Sequence, residues 1–138
     1  MVKTGQGENN IFNISKPETY RCQILHYHNR LSRLYLAVYK GQDRNAEPVF
    51  YVLFSDVAYF DCPVNWEGAS FSIASSEDCI ALLLEAGLIG KAILQFPKAY
   101  ASITDYARLY IAETQADRPI RIIASSANMV NKLPAELL

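Results

Sequence analysis

VFYVLFSDVAYF, residues 49–60, is the stretch on which the fold turns. Its first half is almost continuously apolar and β-branched or aromatic. That pattern predicts a central strand buried on both faces. Ser55-Asp56 then interrupts the run, and VAYF resumes it after a bulge or a bend.

Upstream, TYRCQILHYH (19–28) has high strand propensity. Simple alternation puts Tyr20, Cys22, Ile24, His26 and His28 on one face, and Arg21, Gln23, Leu25 and Tyr27 on the other. NRLSR (29–33) is polar enough to turn the chain, and LYLAVYK (34–40) returns as the second strand of a hairpin. KGQDRNAEP (40–48) is a loop, because Gly41, Asp43, Asn45 and Pro48 all favour turns. Residues 1–10 are polar and Gly/Asn-rich, as expected of a flexible N-terminal segment.

Downstream, DCPVNWEG (61–68) is expected to be a loop and ASFSIA (69–74) a short alternating strand. SSEDCIALLLEAG (75–87) carries the clearest helix signal, over about 76–87. Ser75 or Ser76 can accept from an otherwise unpaired backbone N–H, and Glu77 and Asp78 suit the positive end of the helix dipole. Ile80, Leu83 and Leu84 supply a buried stripe, and Gly87 a left-handed stop. AILQF (92–96) is expected to be a strand ended by Pro97. Residues 99–112 fit two patterns. Ile103, Tyr106, Ala107 and Tyr110 have helical spacing, while Asp105, Ala107, Leu109 and Ile111 alternate; a strand over 105–113 is favoured. ETQADRP (113–119) then makes a hairpin loop, PIRIIASS (119–126) a further strand, and 131–138 a short tail.

The fold class expected is therefore α+β and β-dominated, with residues 11–138 forming one domain. The architecture would be a single, mostly antiparallel, strongly curved sheet or a small barrel with one main helix packed on it. A single strand–helix–strand unit argues against a doubly wound parallel sheet.

The composition suits that picture. Of 138 residues, 51% are hydrophobic and 20% charged, enough for a core without a disulfide or metal staple. The net charge of −1 gives no overall basic field to attract nucleic acid. The charges are uneven, however. Residues 1–50 hold seven Lys and Arg against four Asp and Glu, and residues 51–100 hold two against six. Opposite segments of this kind neutralise each other within one fold or across two subunits. Three cysteines, a polar N-terminus and no apolar run long enough to cross a bilayer lead us to expect a cytoplasmic protein with reduced thiols and no membrane partner. On that expectation the sequon Asn13-Ile14-Ser15 is inert.

Four groups of residues bear on chemistry. His26 and His28, two apart on a strand, share a face and can ligate one ion. Cys22 lies roughly 13 Å further along the strand, so a third ligand must come from elsewhere, such as Asp61, Cys62 or Cys79. A bare His-x-His is also simply a polar strand end, and no cofactor is expected. Cys79 sits in a helical first turn, which lowers a thiol pKa, but Glu77 and Asp78 raise it again; a structural role is favoured. Asp61, Cys62, Asn65 and Trp66 collect in one loop, the preferred place for a ligand pocket. Finally, the hairpin combines Tyr20, Arg21, Tyr27, Arg30, Arg33, Tyr35, Tyr39 and Lys40. Rings beside cations can stack bases, but these do not segregate onto one face. Tyr and Arg are equally the anchors of protein interfaces, and Tyr27, Arg30, Arg33 and Tyr35 are the candidates for one.

Walker, dinucleotide-binding, zinc-protease and Ca²⁺-loop motifs are all lacking in the sequence. The expected function is a small non-catalytic binding or interaction module that self-associates, with a dimer as the expected form. A metal- or ligand-dependent enzyme built around His26, His28 and the Asp61–Trp66 loop is the alternative. A single-strand nucleic-acid binder using the basic aromatic hairpin is the second alternative, with nucleic acid the less favoured partner.

Overall fold

The computed structural model describes residues 10–43, 46–114 and 119–134. All but the last residue of the flexible segment expected at 1–10, most of the hairpin loop at 113–119 and the end of the tail lie outside these residues.

Nine strands form two antiparallel sheets among the described residues. They are β1 (Tyr20–His28), β2 (Arg33–Lys40), β3 (Phe50–Ser55), β4 (Tyr59–Asp61), β5 (Asn65–Glu67), β6 (Ser70–Ile73), β7 (Arg108–Glu113), β8 (Ile120–Ala124) and β9 (Ser126–Val130). The helices are α1 (Ser76–Glu85) and α2 (Pro97–Tyr106). Sheet A has the order β5-β1-β2-β3-β9, and sheet B the order β4-β8-β7-β6. The β-dominated α+β class is as expected. The strands divide between two sheets, though, and the sheets are not closed into a barrel.

The division happens at Ser55-Asp56. β3 belongs to sheet A and β4 to sheet B, and Asp56 between them has a φ of +53°. The partner strand does the same: β8 in sheet B passes into β9 in sheet A through Ser125 alone. The two bends lie side by side. Ser55 pairs with Ser126, Tyr59 with Ile123, the Ser125 backbone N–H donates to the Ser55 carbonyl (3.0 Å), and the Ser125 hydroxyl donates to Asp56 Oδ2 (2.8 Å). Strands that switch sheets at a bend make the corner of a two-sheet packing. SANMV is short and only weakly apolar, which leaves β9 without a strand signal of its own.

The main core fills the space between the sheets. Cys22, Leu34, Leu36, Val38, Val52 and Phe54 come from sheet A, and Phe71, Tyr110, Ala112, Ile120, Ile122 and Ala124 from sheet B. Phe54 sits at its centre, with ring centroids 6.0 Å from Phe71 and 5.4 Å from Tyr110. A second core lies on the far side of sheet B, where Leu109 and Ile123 meet Cys79, Ile80, Leu82 and Leu83 of α1. Tyr100, Ile103 and Ala107 of α2 and its C-cap pack there too. The molecule is thus layered as sheet A, sheet B, helices.

α1 forms as expected: the Ser75 hydroxyl accepts from the Asp78 N–H at 3.1 Å, and Gly87 takes a φ of +74°. Several expectations need correction. The stretch 61–68, expected as a loop, holds strand β5 at Asn65–Glu67, and its first residue, Asp61, ends β4. Lys91–Gln95 is a 3-10 helix, not a strand, and Pro97 starts α2 at its first position. Proline suits that position because its missing N–H would be unpaired there anyway. The strand favoured over 105–113 begins only at Arg108, since residues 99–106 follow the helical spacing. β3 also differs from its reading. Val52 and Phe54 are buried on the inner face, with Phe50 half-buried at the edge of the same core, but Tyr51, Leu53 and Ser55 on the outer face are only half-buried, because no described helix covers that side.

Candidate functional site

A β-bulge in β1 sets the geometry of the histidines. The pairing with β2 runs Cys22 with Val38 and Ile24 with Leu36, then resumes at His26 with Tyr35 and His28 with Arg33. Leu25 is the extra residue. A bulge reverses which face the following side chains occupy. Cys22 and Ile24 therefore point into the core, while His26 and His28 lie on the outer face of sheet A. The shared face expected for Cys22, His26 and His28 does not exist.

The two histidines do lie together. Their rings are 6.0 Å apart and nearly perpendicular, and His26 stands 6.4 Å from Tyr35. The Leu31 N–H donates to His28 Nδ1 at 3.3 Å. Among the described residues no cluster of three or more His, Cys, Asp and Glu is placed to hold a metal ion.

The Asp61–Trp66 loop is drawn apart. Asp61 accepts from Arg121 Nη2 at 2.8 Å on the helix side of sheet B, and Glu85 lies 3.8 Å from the same guanidinium. Arg121 is raised above its ordinary pKa, chiefly by the Asp61 hydrogen bond. Trp66 is buried opposite Cys22 in the core, and Asn65 is exposed on β5. Cys62 packs half-buried against the core edge. Cys22 is fully buried, and its thiol is pushed up to about 12, by burial first and by Cys62 second. Burial likewise raises the Cys79 thiol, which faces Ile80 and Leu83 in the helix-side core. Both are kept protonated, and therefore poor nucleophiles, at neutral pH.

A cleft of about 690 Å³ lies elsewhere, lined in part by Lys16, Glu18, Glu67, Gly68 and Glu113. None of Asp61, Cys62, Asn65 and Trp66 lines it. Its floor depends on Gly68, whose φ is +108° and where a Cβ would stand 2.6 Å from the Glu113 carbonyl oxygen. The sequence signalled Gly68 only as a turn residue.

The interface candidates separate as well. Tyr27 follows the bulge onto the inner side and meets Phe60 of sheet B at 5.3 Å, at the open rim between the sheets. Arg30 is exposed in the turn. Arg33 and Tyr35 lie on the outer face of sheet A, beside His28 and His26. That face is built mainly by β1, β2, β3 and β9. Tyr35 and Ala37 are buried at its middle; Gln23, Tyr39, Tyr51, Leu53 and Val130 are half-buried around them; His26 and Asn128 are exposed. The Arg21 guanidinium lies 4.1 Å from the Tyr39 ring centroid. Both α-helices pack against sheet B, and no described element is layered on this side of sheet A.

Compared with known proteins, the chain matches no family model, no curated protein and no solved structure, so a functional reading rests on its own residues.

Proposed function

We propose that the protein is a small, cytoplasmic, non-catalytic binding module that acts as a homodimer. The observation that carries this reading is the outer face of sheet A: a sheet surface with tyrosines and cations that no described element covers. Such a face is where a fold of this kind meets a partner. The protonated thiols of Cys22 and Cys79, and the Asp61–Arg121 ion pair, support a structural role for residues that an enzyme would otherwise draw on.

Native mass spectrometry and sedimentation velocity on untagged protein, purified without chelator, test the proposal. The expected result is a concentration-dependent dimer without added mass. A chain that stays monomeric at every concentration overturns it. One ion or small molecule retained per chain also overturns it, in favour of a metal- or ligand-dependent enzyme around His26, His28 and the Asp61–Trp66 loop.

A further inference from the structure

The four sheet edges are not alike. β4 and β5 are three residues each, too short to template much pairing. β6 is capped, because the Ile11 N–H donates to the Phe71 carbonyl at 2.9 Å. β9 runs for five residues and, among the described residues, pairs on one side only, with β3. Its sequence, SANMV, holds no charge and no proline. Those are the residues by which open edges are normally protected from pairing with another chain.

We infer that β9 pairs antiparallel with β9 of a second copy about a dyad at Asn128, joining two five-stranded sheets into one. This rests on the self-association proposed above and names its seam. The strand is self-complementary in that register. Asn128 meets Asn128 on the outer face, where both amides are exposed and each can donate to the other. Ala127 meets Met129 twice on the inner side, small beside large, and Met129 is 47% exposed in the single chain. Ser126 meets Val130.

The charges agree. Past one end of β9 comes Lys132, exposed; beside the other end stands Asp56, tied to the Ser125 hydroxyl at 2.8 Å. Antiparallel pairing brings the Lys132 of each copy toward the Asp56 end of the other. Arg108 and Asp105 are also at that end. Arg108 is turned onto the backbone carbonyls of Ser125 (3.0 Å) and Asp105 (3.4 Å), and the three side chains together leave it negative. Five paired residues bury less than the ~1,600 Å² of a standard interface, so the dimer is expected to dissociate on dilution.

The test is sedimentation velocity on the full chain, comparing wild type with Asn128→Lys and Asn128→Glu, with circular dichroism to establish that each variant is folded. Asn128 is exposed, so neither change opens the core. Each variant alone should dimerise on the order of tenfold more weakly or worse, because like charges meet at the dyad. An equimolar mixture should recover the dimer, with lysine now opposite glutamate. If Asn128→Lys dimerises as well as wild type, the β9 seam is wrong while self-association stands. If the folded variants are monomeric and their mixture stays so, the Asn128 dyad is wrong. A wild type that is monomeric at all concentrations removes both this inference and the proposal beneath it.

Discussion

Sheets A and B share a core but meet the world differently. Sheet B is covered on its far side by α1 and α2, and Ile123 and Leu109 are buried there. Sheet A presents Tyr51, Leu53 and Val130 half-buried on its far side. The cover is what makes β8 apolar on successive residues: Ile122 faces one core and Ile123 the other. A sheet with both faces buried needs such runs, whereas a sheet with one open face needs only alternation. Sheet A is more apolar outside than alternation requires, and that surplus is what the proposed binding role rests on.

The largest effect should come from the layer that both sheets share. Phe54→Ala removes a fully buried ring that touches Phe71 and Tyr110, and should cost about 3–5 kcal/mol in urea unfolding. A cost near 1 kcal/mol would mean that the two sheets do not press on one another as described.

One residue type then compares the two far sides directly. Leu83→Ala, beneath α1, should cost about 2–5 kcal/mol, since the side chain is 4% exposed. Leu53→Ala, on the open side of sheet A, should cost only about 1 kcal/mol of stability, because the side chain is half-buried in the single chain. Equal losses would show that something covers sheet A in solution.

Alkali should weaken the shared core by a smaller, graded amount. The Cys22 thiol is held at about 12 in the fold against a usual 9.0, so between these values the unfolded chain binds fewer protons than the folded one. Stability therefore falls as pH rises through that window, by up to about 1.4 kcal/mol per pH unit from this group. Cys22→Val should flatten the fall when the two proteins are compared by chemical denaturation across that range. An unchanged slope would put Cys22 in contact with water.

Ser75→Ala is the mildest probe of the helical cover. Losing the acceptor for the Asp78 N–H should cost about 1 kcal/mol and leave dimerisation untouched. A lost dimer in that variant would tie the helices, not sheet A, to self-association.

Much of this was legible in the residues. Strand propensity placed β1, β2 and β3, and capping chemistry placed α1 to within about two residues. Other features were hidden for physical reasons. The bulge leaves only a faint mark, Ile24 beside Leu25, and two adjacent apolar residues are common on any strand. Pro97 was read as a stop although it equally begins a helix. β9 is an edge strand with no fully buried residue, so it needs too few apolar residues to stand out. The candidate loop residues failed to converge because Asp61 ends a strand of sheet B while Trp66 belongs to sheet A, and nearness in sequence says nothing about which sheet a strand joins.

The corner at Asp56 and Ser125 also constrains the order of assembly. It ties together residues 70 positions apart, and β4 cannot find β8, nor β3 find β9, until nearly all of the chain is available. Local hairpins such as β1–β2 can flicker into place early, but closing such long loops is slow, and topologies dominated by distant pairings fold slowly. Neither sheet can be completed without the ribbon it shares with the other. During synthesis the first three strands emerge with the β3 edge unpaired, and that edge waits for β9, the last strand described. A chain cut short before Ser126 would leave β3 open to any strand that came by.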